Sequence, residues 1–312
     1  MRLVRGLTNL TAATRGTAVA IGNFDGVHRG HQALVAAALA CAARTGAEPV
    51  VLTFDPHPRE FIGAGDAPPR LMRVTEKLLA LGMLGIKRLV VVRFNRHLQE
   101  LSAAEFIDHI LVGALNARHV IVGEGFRFGR QRDGTVDTLC SQGAGRGFDV
   151  VAVPSVRVGQ VRVSSTAIRD ALLAGNLVRA NELLGARYAL TGRVIKGAQL
   201  GRELGYPTAN MRLHRPILPL KGIFAVFVRG VHGNVPCAGV ASLGTRPTVN
   251  GVEPLLEVHL FDYSGNLYGR RLRVEFVAKL RDEERFDSLD VLTAQMHRDA
   301  AAAREILKTY SV

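Results

Sequence analysis

The sequence predicts two domains of different class: an α/β domain built on a parallel, doubly wound sheet, then a small antiparallel β-barrel with one helix. Three observations point there. Up to about residue 185, short β-branched runs alternate with stretches whose apolar residues recur at helical spacing, the pattern of strands joined by crossover helices. From Tyr188 the texture changes to short strand-like runs separated by glycine and proline, as in a small barrel. Finally, 312 residues, 47% of them hydrophobic, are long for one core and enough for two. The boundary is expected near Ala186, giving domains 1–186 and 187–312.

Residues 17–21 read as a buried strand and 32–43 as an alanine-rich helix, joined by Gly22-Asn23-Phe24-Asp25-Gly26-Val27-His28-Arg29-Gly30-His31. A helix N-terminus reached through a tight glycine turn offers unpaired N–H groups and positive dipole, which suits a phosphate. Gly22 and Gly26 let the backbone approach a ligand, and His28 and His31 can face one anion. No GxxxxGK[ST] loop occurs in the chain. The two rings also fit a capping role or metal ligation, although no nearby Cys or third His completes a metal site.

Further strands are expected at 50–54, 88–94, 119–122 and 150–153, with helices at 75–84 and 102–115. Such sheets bind ligands at the carboxyl ends of their strands, where the remaining motifs fall. Thr53-Phe54-Asp55-Pro56-His57-Pro58 ends the second strand in a loop stiffened by two prolines, with Phe54 and His57 able to wall a ring-shaped substrate. Gly123-Glu124-Gly125-Phe126-Arg127-Phe128-Gly129 follows the fourth strand. In Ser164-Ser165-Thr166-Ala167-Ile168-Arg169, ahead of a helix at 170–174, the hydroxyls read either as N-caps or as phosphate ligands beside a neutralising arginine. A helical hairpin over 175–185 closes the domain.

In the second half, strands are expected at 188–195, 222–228, 235–242, 255–261 and 272–277, then a helix over 286–310 capped by Ser288. The basic, glycine-rich stretch Gly192-Arg193-Val194-Ile195-Lys196-Gly197, with Gly201-Arg202, can cover phosphates with backbone N–H groups. In Pro207-Thr208-Ala209-Asn210 the Thr and Asn oxygens are hard neutral ligands suited to magnesium on nucleotide phosphates, or simply a turn after proline. In Leu256-Glu257-Val258-His259-Leu260-Phe261-Asp262 a period of two puts Glu257, His259 and Phe261 on one face. A carboxylate there can take the proton of an attacking hydroxyl, or belong to a solvated strand face.

Composition narrows the classes. The net charge of +13 is spread along the chain, 23 basic against 15 acidic residues through Arg187 and 17 against 12 beyond. With 6% aromatics and no Trp, small polyanionic substrates account for it as well as nucleic acid would. No run approaches the roughly 18 apolar residues of a membrane span, and residues 1–11 lack the apolar core of a signal peptide. Cys41, Cys140 and Cys237 are far apart without CxxC spacing, which predicts buried thiols in a reducing cytoplasm.

These motifs, in this order, resemble those of the prokaryotic bifunctional riboflavin kinase/FAD synthetases. The first half carries G-x-F-D-G-V-H-x-G-H, T-F-x-P-H-P and S-S-T-x-I-R. The second carries G-R-V-x-x-G, G-Y-P-T-A-N, G-T-R-P-T, L-E-V-H-L-F-D and L-Y-G. The resemblance implies a nucleotidylyltransferase-like first domain that moves AMP from ATP to FMN, giving FAD and pyrophosphate. It implies a second domain, a six-stranded barrel with a packed helix, that phosphorylates riboflavin to FMN. His28, His31, Arg169 and Glu257 would be catalytic. Gly22, Phe24, Asp25, Gly30, Ser165 and Thr166 would bind ATP in the first domain, and Gly192, Lys196, Gly197, Arg202, Thr208 and Asn210 in the second. Phe54, His57, Phe126, Phe128, Arg246 and Thr248 would line flavin, and Thr208 and Asn210 would hold Mg2+ with ATP as co-substrate. The expected partners are riboflavin, FMN, FAD and ATP, without nucleic acid or membrane, in a cytoplasmic monomer or weak homo-oligomer. One position departs: Gly125 stands where the family has Asp or Asn, which leaves open a riboflavin kinase with weak, lost or altered adenylyltransferase activity.

Overall fold

The computed structural model describes residues 1–10, 15–63, 67–197, 201, 204–215, 217–233, 235–248 and 251–310, with the side chains of 246–248 and 251–253 left undescribed. Contacts divide the chain into two compact units, 1–68 with 72–165, and 69–71 with 166–312.

The first unit holds six strands: β1 (Arg2–Arg5), β2 (Thr17–Ile21), β3 (Glu48–Asp55), β4 (Arg88–Arg93), β5 (Ala117–Gly123) and β6 (Asp149–Val153). They form one sheet in the order β1-β4-β3-β2-β5-β6, every pair parallel. The doubly wound fold is therefore present, with one edge strand, β1, that the sequence reading did not include. Alternation along the strands feeds two cores. Val19, Ile21, Val50, Leu52, Val120 and Val122 pack on one face, and Ala18, Ala20, Val51, Leu89 and Ile121 on the other.

Helix α1 (Arg29–Thr45) is capped by His28 and ends at Gly46, whose φ of 74° is the left-handed turn that glycine permits. The short α2 (Pro58–Ile62) and then α3 (Val74–Met83) follow β3, and α4 (Arg96–Glu100) follows β4. The helix expected over 102–115 begins as α5 (Ala103–Glu105) and widens to π spacing over Phe106–Ala114, with Leu115 N–H donating to the Ile110 carbonyl. Next come α6 (Val136–Gly143) and a small hairpin, β7 (Arg157–Val158) with β8 (Val161–Arg162).

In the second unit, α7 (Ser165–Leu173) and α8 (Leu177–Leu184) precede β9 (Ala189–Ile195). Then come β10 (Ala209–Arg212), β11 (Gly222–His232), β12 (Val235–Thr248), β13 (Gly251–Leu260) and β14 (Arg271–Arg281). They close a barrel in the order β10-β13-β12-β11-β14-β9, with α9 (Leu289–Lys308) packed on its outside through Ala300, Ala303 and Leu307. The segment read as a possible turn after Pro207 is the sixth strand, β10. Helix α8 packs on β14, so by contacts the helical hairpin goes with the barrel, and the compact units part earlier than Ala186. The expected set of buried thiols needs correcting: Cys41 is buried and Cys237 half-buried, but Cys140 on α6 is exposed.

Candidate active sites

The turn from β2 into α1 is strained where the motif predicts a phosphate site. Phe24 and Val27 adopt positive φ of 47° and 44°, and Gly26 lies between them at 93°. The surroundings hold this conformation. The Asp25 carboxylate accepts from Met72 N–H at 2.9 Å, and Ser165 Oγ donates to the Asp25 carbonyl at 2.8 Å. At Gly22 a Cβ would come within 3.3 Å of the Phe24 ring, itself fully buried, a tight contact that glycine avoids. A Cβ on Gly30 would meet the His28 ring at 3.2 Å.

His28 and His31 stack with centroids 3.6 Å apart. His28 Nδ1 accepts the His31 N–H at 3.3 Å, so the proton of a neutral His28 ring sits on Nε2, as a donor. His31 keeps part of its ring accessible, but its Nδ1 is buried without a hydrogen-bond partner. Burial first, then the neighbouring His28 and Lys77, hold the His31 pKa well below the ordinary imidazole value. His31 is thus a neutral hydrogen-bond donor at neutral pH. A fixed positive charge comes from a residue the sequence reading missed, Lys77 on α3. It is buried, and its Nζ donates to the Asn23 carbonyl at 2.7 Å, an oxygen that also accepts from Thr53 Oγ1 at 3.0 Å. A lone lysine in an amphipathic helix gave no signal of this.

Phe54 packs edge-on against Phe94, which also meets Phe61, forming a half-buried aromatic group after β3. His57 caps α2, its Nδ1 accepting from Arg59 N–H at 3.1 Å, so the Pro-His-Pro turn is also a helix start. Phe126 is half-buried and stacked on Phe128. Phe128 is buried in the core against Phe106 and supports Phe126 from behind. Gly125 is exposed, and a Cβ there would lie 3.7 Å from Arg162 Nη2, an ordinary contact. The site could therefore house a side chain, and Arg162 is the nearest polar group to where it would be. Next to it, the exposed Glu124 carboxylate accepts from Ser155 Oγ, which holds its pKa below the usual range.

Thr166 is exposed at the start of α7. Arg169 is buried, and its Nε donates to the Pro69 carbonyl at 2.7 Å, so part of its guanidinium is committed to the 69–71 segment. Arg215 donates to the Arg70 and Leu71 carbonyls of the same segment, each at 3.0 Å.

In the barrel, the antiparallel register puts Asn210 of β10 directly opposite Glu257 of β13. The buried Asn210 donates through Nδ2 to Thr208 Oγ1 at 3.3 Å, leaving Oδ1 as the oxygen it can offer a cation. Two cavities meet at this pair. One, of about 530 Å³, is lined by Gly197, Thr208, Asn210 and the 263–268 loop. The other, of about 600 Å³, is lined by Thr208, Asn210, Glu257 and apolar groups that include Ile223, Leu255 and Phe286. The loop entering β10 is held by His259, whose Nδ1 donates to the Pro207 carbonyl at 3.0 Å, and by a hydrogen bond between the Tyr206 hydroxyl and His297 of α9.

Gly197 touches this pair most closely. A Cβ there would fall 2.4 Å from Asn210 Cγ and Oδ1. Lys196 beside it is exposed. Gly192 is buried inside β9, where a Cβ would meet the Arg212 carbonyl at 2.9 Å and the Met211 side chain, so its lack of a side chain serves strand packing. Arg202 lies outside the described residues. Arg246 and Thr248 fall on β12, opposite Glu253 and Gly251, with their side chains undescribed.

The FAD synthetase family profile matches residues 10–167, and the riboflavin kinase profile matches 184–307. The chain is 45% identical over 306 residues to the bifunctional riboflavin kinase/FMN adenylyltransferase of Escherichia coli strain K12, covering 98% of this chain and 97% of that one. The enzyme of the same description from Pseudomonas fluorescens is 46% identical over 307 residues, covering 98% of both chains. This chain belongs to the bifunctional riboflavin kinase/FMN adenylyltransferase family. It is accordingly an ATP-dependent enzyme of both activities, with riboflavin, FMN, FAD and ATP as substrates and products, and the reading of a kinase without adenylyltransferase activity is set aside. A solved structure described as a macrolide-efflux protein of Streptococcus pneumoniae shares the fold across 100% of both chains, with a TM-score of 0.83 and 30% identity. Among the described residues of this chain, no helix is long and apolar enough to cross a membrane.

Proposed function

We propose that phosphoryl transfer to riboflavin takes place at Thr208 and Asn210, where the two barrel cavities meet. The observation that carries this is their shared wall: the same two side chains line the smaller cavity and the larger one that holds Glu257. The smaller cavity takes ATP, with Gly197 and Lys196 on its phosphate side, and the larger takes the flavin. Glu257 accepts the proton of the ribityl 5′-hydroxyl as that oxygen bonds to the γ-phosphorus and the bond to the ADP oxygen breaks. Thr208 Oγ1 and Asn210 Oδ1, hard neutral oxygens, would hold a magnesium ion that enters with ATP. Among the described residues no cluster of three His, Cys, Asp or Glu offers an all-protein metal site. Bound with ATP, magnesium neutralises phosphate charge.

For adenylylation, an anionic FMN phosphate oxygen attacks the α-phosphorus while the bond to pyrophosphate breaks, so no strong base is required. His28, His31 and the α1 N-terminus donate to the phosphates, joined by Ser165, Thr166 and Arg169. Gly22, Phe24, Asp25 and Gly30 shape the turn, and Phe54, His57 and Phe126 wall the flavin ring. The functional division falls at 186/187, supported by family matches that end at 167 and resume at 184. Free cysteines and evenly spread charge support a cytoplasmic monomer or weak homo-oligomer with no nucleic-acid partner.

Chromatographic resolution of flavins after incubation with ATP and either riboflavin or FMN tests the assignment. Glu257→Gln should abolish FMN formation and keep FAD formation from FMN, and His31→Ala should do the reverse. Loss of both activities from either folded variant would refute the two-site division.

A further inference from the structure

The larger barrel cavity holds a second acid with a feature the assignment above does not use. Glu283, just after β14, lines it together with Glu257. Among the described residues its carboxylate makes no hydrogen bond or ion pair, and only the more distant charges of Lys221 and Arg281 act on it. Asp299, another acid on the same cavity, is fully engaged: it accepts from Arg281 at 2.8 Å and from Gln295 at 2.8 Å. The Glu283 side chain lies over β12. Its carboxylate lies directly on the backbone of Gly244 in β12, where any Cβ would fall within 2.6 Å of Cδ and of both oxygens. Glu283 is an exposed residue, and the desolvation its carboxyl does meet raises its pKa.

The barrel register locates this acid relative to the base. Glu257 pairs with Ser242 of β12, and Leu255 pairs with Gly244. Ser242 and Gly244 share a face, two residues apart, which is about 6.8 Å along a strand. A carboxylate on the same cavity as the base, with no hydrogen-bond donor of its own among the described residues and beside an apolar wall, can accept from a ligand hydroxyl. Riboflavin supplies these on the ribityl chain, at the 2′, 3′ and 4′ positions that follow the reacting 5′-hydroxyl.

We infer that Glu283 is a specificity residue of the kinase site, accepting a hydrogen bond from a ribityl hydroxyl of riboflavin and so fixing the chain that presents the 5′-hydroxyl to Glu257. Gly244, within the G-T-R-P-T motif, is the backbone on which this carboxylate rests. The inference depends on the larger cavity being the flavin side.

The test is steady-state kinase kinetics of the full-length enzyme with three readouts: KM for riboflavin, KM for ATP with magnesium, and KI for lumiflavin, which has the ring but no ribityl chain. Glu283→Ala should raise the KM for riboflavin roughly tenfold, the scale of losing one hydrogen bond to a charged acceptor. The KM for ATP and the KI for lumiflavin should stay within a factor of two. Glu283→Gln, which keeps an acceptor oxygen, should recover most of the loss. An equal rise in KM for riboflavin and KI for lumiflavin would assign the contact to the ring and overturn the inference, as would no change in either. Failure of the underlying site reading would show separately, as normal kinase turnover by Glu257→Gln.

Discussion

Substituting Gly197 by alanine should cripple the kinase and spare the adenylyltransferase. The added methyl would sit 2.4 Å from Asn210 Cγ and Oδ1 and 2.5 Å from Nδ2. An ordinary contact for a methyl is about 3.4 Å or more, so Asn210 must move by roughly 1 Å. Asn210 is buried and lines both barrel cavities, so the displaced side chain moves within the site itself. A misplacement of this size in a group that orients a transferring phosphoryl costs about 10²-fold in rate. The φ of Gly197 is not in the left-handed region, so the methyl acts through this clash alone. The assay is kcat for FMN formation from riboflavin beside kcat for FAD formation from FMN. A double-mutant cycle with Asn210→Ala adds a second check: once Asn210 is truncated, Gly197→Ala should cost little more, because its effect passes through that side chain. Wild-type kinase kinetics in Gly197→Ala, or additive losses in the double variant, would refute the reasoning.

Three further outcomes concern the other site. Lys77→Met should lower FAD formation from FMN by about tenfold or more and leave FMN formation unchanged, because the Asn23 carbonyl loses a charged donor inside the strained turn; equal loss of both activities would point to general unfolding. Because the folded-state pKa of His31 is depressed, the unfolded chain binds more protons below about pH 6.5. The stability this confers is present above that pH and is lost as pH falls, at up to about 1.4 kcal/mol per unit; urea titrations at pH 7.5 and 5.5 should show it, and His31→Gln should flatten the difference. Gly125→Asn has room for its side chain beside Arg162 and should raise FAD formation by severalfold in the flavin assay; an unchanged rate would mean that nothing was missing there.

Much of this architecture was legible because it rests on local patterns. The buried strand at 17–21, the helix over 32–43 (which the structure extends back to Arg29) and the Glu257 face of β13 follow from period alone. The resemblance then supplied the roles. What escaped depends on contacts distant in sequence. Lys77 lies on a helix far along the chain from the turn it supports. Strand β10 is four residues long and begins only at Ala209, inside the Pro-Thr-Ala-Asn run, which reads locally as a turn. Gly192 and Gly197 look alike in a glycine-rich stretch, yet one makes room for a neighbouring strand and the other for the Asn210 side chain. Phe128 looks like its neighbour Phe126 in sequence, but only the fold shows that one is core and the other half-exposed.

The wall shared by the two barrel cavities has a thermodynamic consequence. Thr208 and Asn210 present one side to each, so a ligand that orders them on one side lowers the cost of ordering them for the other. With nucleotide and riboflavin in these cavities as proposed, any coupling is reciprocal: if the nucleotide tightens riboflavin by some factor, riboflavin must tighten the nucleotide by the same factor. In a cell scarce in flavin, that reciprocity lets abundant ATP set how avidly the barrel collects its vitamin.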